Sequence, residues 1–93
     1  MDELRQQIMH LLEEWAERNE SPLPNFADTD DLFELGVVDS MLMVEIVFAV
    51  EEATGSVVDF LEVDPEIFYT LAGIMKYAES AAGREMPPLG TYR

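Results

Sequence analysis

Ninety-three residues and 10.5 kDa make one small domain and exclude a multidomain enzyme, since single cores run to roughly 100–150 residues. Apolar residues at 48% and charged residues at 27% describe a chain that folds, and the lack of cysteine removes any disulfide framework, thiolate zinc site or cysteine nucleophile. The net charge is −15, and between Arg18 and Lys76 thirteen acids stand with no Lys or Arg among them, which disfavours nucleic acid and anionic membrane as partners and favours basic proteins.

The opening Met1-Asp2-Glu3-Leu4-Arg5 lacks the basic start and apolar run of a signal peptide. No apolar stretch approaches the roughly 20 residues that span a bilayer, so the expected location is the cytoplasm. Leu4, Ile8, Leu11, Leu12 and Trp15 recur at helical spacing among Glu, Gln and Arg, which predicts an amphipathic first helix ending near Asn19 and Glu20. Pro22 and Pro24 then forbid its continuation. A long connection from Ser21 to Asp39 follows. Its large apolar residues, Phe26, Leu32 and Leu35 foremost, predict a segment pinned across the helices, with one helical turn at 30–35.

Asp39-Ser40 precedes a run of helix formers that ends at Thr54-Gly55, the signature of a second helix with a left-handed glycine after it. Only Glu45 is polar between Met41 and Val50, although a surface helix buries only one stripe. Leu42, Met43, Ile46, Val47 and Val50 form the expected core face. Met41, Val44 and Phe48 are left over on the other side, rimmed by Glu45, Glu51 and Glu52. The stretch Ser56–Leu61 reads as an apolar tether, because a lone strand has no partner in the chain. Asp64-Pro65-Glu66 opens a short helical turn through Phe68, and Thr70 caps a last helix with Leu71, Ile74, Met75 and Ala78 inward. Residues 1–80 are expected to form the domain and 81–93, with Pro87-Pro88 and Gly90, a flexible tail.

For chemistry, the sole histidine, His10, falls off the apolar stripe and reads as a surface residue. Asp28 to Asp39 has the length of a calcium loop, but its sixth position is Phe33 where that loop needs glycine. Ser40, at the start of the second helix, has no base near it in sequence and is no nucleophile by itself. The helix end suits it to hold an attached phosphate ester, placed there by another enzyme. The plainer alternative makes Ser40 a cap only, in an acidic docking module without a prosthetic group.

The run Phe33-Glu34-Leu35-Gly36-Val37-Val38-Asp39-Ser40-Met41, continuing through Val44-Glu45-Ile46 to Glu51-Glu52, resembles the acyl carrier protein family, and the likeness extends over roughly residues 1–80. The resemblance implies a non-catalytic carrier whose 4′-phosphopantetheine arm is attached to Ser40 and holds cargo as a thioester, with Asp39 contacting the attaching transferase or its metal. It also implies docking on Met41, Val44, Glu45, Phe48, Glu51 and Glu52. The partners implied are a phosphopantetheinyl transferase, a loading ligase or transferase with a basic patch, and downstream acyl-using enzymes, around a monomeric carrier. Two residues, Val37 and Val38, separate Gly36 from Asp39 where fatty-acid carriers usually have one, and Met41 replaces their usual Leu. This is similar to discrete carriers of amino acids and of specialised pathways. The fold expected is all-α, an up-down bundle of three longer helices and one short helix, with a long loop between the first two. Its expected core is Leu4, Ile8, Leu11, Trp15, Leu32, Leu35, Ile46, Val47, Val50, Ile67, Leu71 and Ile74.

Overall fold

The computed structural model describes residues 2–83, which form three α-helices, α1 (Asp2–Arg18), α2 (Ser40–Thr54) and α3 (Leu71–Gly83), with a short 3₁₀ helix, Pro65–Tyr69, before α3. There is no strand among the described residues. Helix α1 packs on α2, α2 on α3, and α3 on the 3₁₀ helix. Residues 81–83 are the last turn of α3, and the rest of the expected tail, 84–93, lies outside the described residues.

The apolar stripe of α1 resolves into Leu4, Ile8, Leu12 and Ala16, spaced by four and all buried. Leu11 and Trp15, expected in the core, lie half-buried at its edge, because the stripe runs through Leu12. The helix closes before the prolines act. Glu20 takes the left-handed conformation (φ 52°), and the Ser21 and Glu20 N–H groups donate to the carbonyls of Ala16 and Glu17 at 3.0 and 3.1 Å, a Schellman closure with Glu where glycine is usual.

The long loop is tied down by its backbone. Leu32 N–H donates to the Tyr69 carbonyl and Ala72 N–H to the Asp28 carbonyl, both at 2.8 Å, so its middle is held against the 3₁₀ helix and the start of α3. The expected turn at 30–35 is present as a single α-type bond, Leu35 N–H to the Asp31 carbonyl at 3.1 Å. Leu35 itself is 40% exposed, against expectation: Leu32 is turned inward, and Val37 and Val38, which follow the turn, are both buried. Ile67 is likewise exposed. In the 3₁₀ helix its neighbour Phe68 takes the interior place, flanked by the rings of Phe60 and Tyr77 at 5.6 and 5.4 Å between centroids.

Helix α2 divides as its composition requires, with Leu42, Ile46, Val47, Ala49 and Val50 buried and Met43 half-buried against them. Gly55 closes it at φ 70°, its N–H donating to the Glu51 carbonyl at 2.8 Å. Thr70 caps α3 through its hydroxyl, which accepts from Gly73 N–H at 3.0 Å.

Candidate functional site

The start of α2 is the end of the chain's longest connection and the beginning of its most apolar helix. Asp39 is its N-cap, in extended conformation, and its carboxylate accepts from Leu42 N–H at 2.8 Å while its carbonyl accepts from Met43 N–H at 2.9 Å. Ser40 is therefore the first helical residue rather than the cap. It is exposed, and its hydroxyl has no hydrogen-bond partner among the described residues. A group attached to that oxygen meets solvent, and it stands where the unpaired N–H groups and dipole of α2 favour negative charge. No Lys or Arg lies between residues 18 and 76 of the sequence.

Asp39 is held ionised. The Leu42 N–H pulls its carboxyl below the usual carboxylate range, slight desolvation opposes this, and the Trp15 indole and the Met41 backbone N–H add to the lowering. Trp15 thus belongs to the surroundings of Asp39, a placement that no local spacing discloses, because it depends on how α1 crosses α2.

Along α2 the three leftover apolar residues are open to solvent: Met41 is 80%, Val44 50% and Phe48 63% exposed. Their acidic neighbours differ from one another. Glu45 and Glu52 are exposed, whereas Glu51 is half-buried and its carboxylate accepts from Val58 N–H at 2.7 Å, fastening the connection after α2 back onto the helix. A shallow groove of about 240 Å³ continues this face onto α1, where Leu11 and Gln7 meet Glu45, Phe48, Ala49 and Glu52. The half-buried Leu11 is its floor.

Several other acids have structural work. Asp28 forms a two-pronged ion pair with Arg5 at 2.7 and 3.2 Å, Asp30 accepts from Ala27 N–H, and Asp31 accepts from the N–H groups of Phe33 and Glu34. No group of acids and histidine among the described residues is arranged to hold a metal ion. His10 pairs with Glu14 one turn along α1, both exposed, at 3.4 Å. No helix among the described residues is long and apolar enough to cross a membrane.

Among the described residues the domain is all-helical, and Ser40 stands unengaged at the start of α2. The family described as "Phosphopantetheine attachment site" matches residues 9–79, and the chain belongs to it and to the acyl carrier proteins within it. Members bear 4′-phosphopantetheine covalently, are carriers rather than catalysts, and work with a phosphopantetheinyl transferase and acyl-handling enzymes. No curated protein and no solved structure is significantly similar to the chain.

Proposed function

We propose that Ser40 bears the 4′-phosphopantetheine arm and that the chain shuttles an amino acid or a specialised-pathway acyl unit, rather than a housekeeping fatty acid, between biosynthetic enzymes. The observation that carries the site is the division of labour at the start of α2. Asp39 supplies the cap, so Ser40 has no structural duty and keeps its hydroxyl free in solvent. Once attached, the arm supplies a thiol on which cargo is held as a thioester. Ser40 contributes the oxygen that forms the new bond to phosphorus as the phosphoanhydride of coenzyme A breaks and adenosine 3′,5′-bisphosphate leaves, and the hydroxyl proton goes to a base on the transferase. Asp39, its carboxyl held below the usual range and engaged with Leu42 N–H, is a weak base for that proton, and His10 lies beside Glu14 on α1. Asp39, adjacent and negatively charged, is the contact for the transferase or its metal.

Met41, Val44 and Phe48 are the apolar centre of the docking face, and Glu45 and Glu52 its steering rim. Glu51 belongs to this face by position, with its carboxylate additionally committed to Val58. The cargo reading rests on the sequence around the site. Gly36-Val37-Val38-Asp39-Ser40-Met41 has the spacing of discrete aminoacyl and specialised carriers. The carrier unit is residues 1–80, acting as a monomer in the cytoplasm.

Incubation with coenzyme A and a promiscuous phosphopantetheinyl transferase, read by intact mass, tests the reading. One arm per chain is expected, and an unchanged mass would favour an acidic docking module without a prosthetic group. Competition between amino acids and long-chain acyl donors, with the cognate loading enzyme and the modified carrier, tests the cargo.

A further inference from the structure

Two adjoining hollows run along α1 on the side of the long loop. The first, about 410 Å³, is lined by the apolar Ala16, Pro22 and Leu23 together with Glu13, Glu17 and Glu20. The second, about 470 Å³, shares Glu13 and Leu23 with the first and continues over Met9, Phe26 and Leu71 to the Arg5–Asp28 ion pair. Neither is lined by any residue of α2, so together they form a groove separate from Ser40 and from the face of Met41, Val44 and Phe48.

We propose that this groove is a second docking surface and that its occupant is a basic amphipathic helix of a partner protein. The inference goes beyond the carrier function at Ser40 and does not depend on it.

The charge pattern argues for the occupant. Glu13 and Glu17 stand one turn apart on α1, and Glu20 follows in the turn that closes it, all three exposed around the first hollow. Glu13 and Glu17, one turn apart, repel each other in the free chain. A helix carrying Lys or Arg along one stripe sets its positive charges against these three carboxylates and relieves the repulsion. The apolar lining asks for Leu or Met side chains on the adjacent stripe of that helix. From Arg5 to the end of α1 at Arg18 the groove follows roughly 20 Å of helix axis at about 1.5 Å per residue, room for between three and four turns of a partner.

The groove is also formed in advance. At one end the Schellman closure fixes Ser21 against Ala16, and Pro22 and Pro24 restrict the backbone that follows. At the other end Arg5 clamps the Asp28 side chain while the Asp28 carbonyl accepts from Ala72 N–H. A partner helix therefore spends little ordering free energy on the loop. Because α2 is untouched, a partner held here leaves the arm and its docking face open, so one enzyme can tether the carrier while another works on the cargo.

The test uses a synthetic amphipathic peptide of about 15 residues, built from Leu and Lys, added to the ¹⁵N-labelled full-length protein. Amide shifts are expected to concentrate in residues 9–28. The triple variant Glu13→Gln, Glu17→Gln, Glu20→Gln is expected to lose about tenfold in affinity at low salt, while the double variant Glu45→Gln, Glu52→Gln loses much less. Modification of the triple variant by the transferase is expected at the unaltered rate, which keeps this outcome distinct from any failure at Ser40. Shifts confined to α2, absence of binding, or an affinity unchanged in the triple variant overturns the proposal.

Discussion

Truncating Phe48 to Ala separates a docking residue from a core residue, and the structure fixes what to expect of each. The ring is 63% exposed on α2, so roughly a third of its surface is covered. Full burial of a Phe side chain stabilises by about 1.5–3 kcal/mol, so the covered part accounts for about 0.5–1 kcal/mol. The higher helix propensity of Ala returns about 0.5 kcal/mol, leaving a net loss below about 0.5 kcal/mol. At the centre of a docked interface the same truncation removes an aromatic anchor, commonly about 2 kcal/mol or more, close to thirtyfold in affinity. The assay pairs denaturant unfolding with initial rates of transferase modification across a carrier concentration series. Near-native stability with KM raised by roughly thirtyfold is expected. A stability loss above about 2 kcal/mol with unchanged kinetics would show that Phe48 supports the fold in solution and that the partner face lies elsewhere.

Reversing Glu45 to Lys is expected to slow association in a salt-dependent way with stability unchanged, whereas Glu51→Lys also strips Val58 N–H of its acceptor and is expected to cost about 1 kcal/mol in urea unfolding. Equal stability of the two variants would deny Glu51 its structural role. Gly73→Ala places a Cβ against the Ile67 carbonyl oxygen, a backbone atom of the 3₁₀ helix that cannot swing aside, and is expected to cost about 3 kcal/mol; a near-native unfolding midpoint would mean that the 3₁₀ helix yields. Asp39 and Asp28 both have carboxyl groups held below their ordinary range, by Leu42 N–H and by Arg5 respectively. Their stabilisation is complete above the unfolded carboxylate pKa of about 3.9 and is lost as pH falls through their lower folded values. Asp39→Asn is therefore expected to flatten the acid limb of stability below about pH 4, and an unaltered limb would contradict the charged cap.

The helix boundaries were legible because each is written in a local chemical signal: Asp39 before α2, Gly55 after it, Thr70 before α3. The two faces of α2 were legible for a similar reason, since a period of 3.6 sorts Ile46 and Val50 from Val44 and Phe48 without knowledge of any neighbour. Irregular segments carry no such period. In the turn after Asp31 and in the 3₁₀ helix, spacing cannot decide which apolar residue points inward, and there Leu35 and Ile67 emerge while Val37, Val38 and Phe68 are buried. The cap divided at Asp39-Ser40 in a way that residue preference leaves open, because either residue is a good N-cap. Contacts between distant parts of the chain were invisible for a different reason. Trp15 reaches Asp39, and Glu51 reaches Val58, only after helices and loops have packed, and neither pairing has a sequence spacing that marks it.

The central claim is that the arm is carried by Ser40, and the most direct measurement is proteolysis of the transferase-modified protein followed by fragmentation mass spectrometry, run beside Ser40→Ala. The whole mass increment is expected on the peptide containing Ser40, and none on the Ala variant. That variant is expected to keep its helical circular dichroism and lie within about 0.5 kcal/mol of native stability, since Asp39 retains the cap and Ala favours a helix. An increment on Ser21, Ser56 or Ser80, or one that survives in a folded Ser40→Ala, contradicts the account.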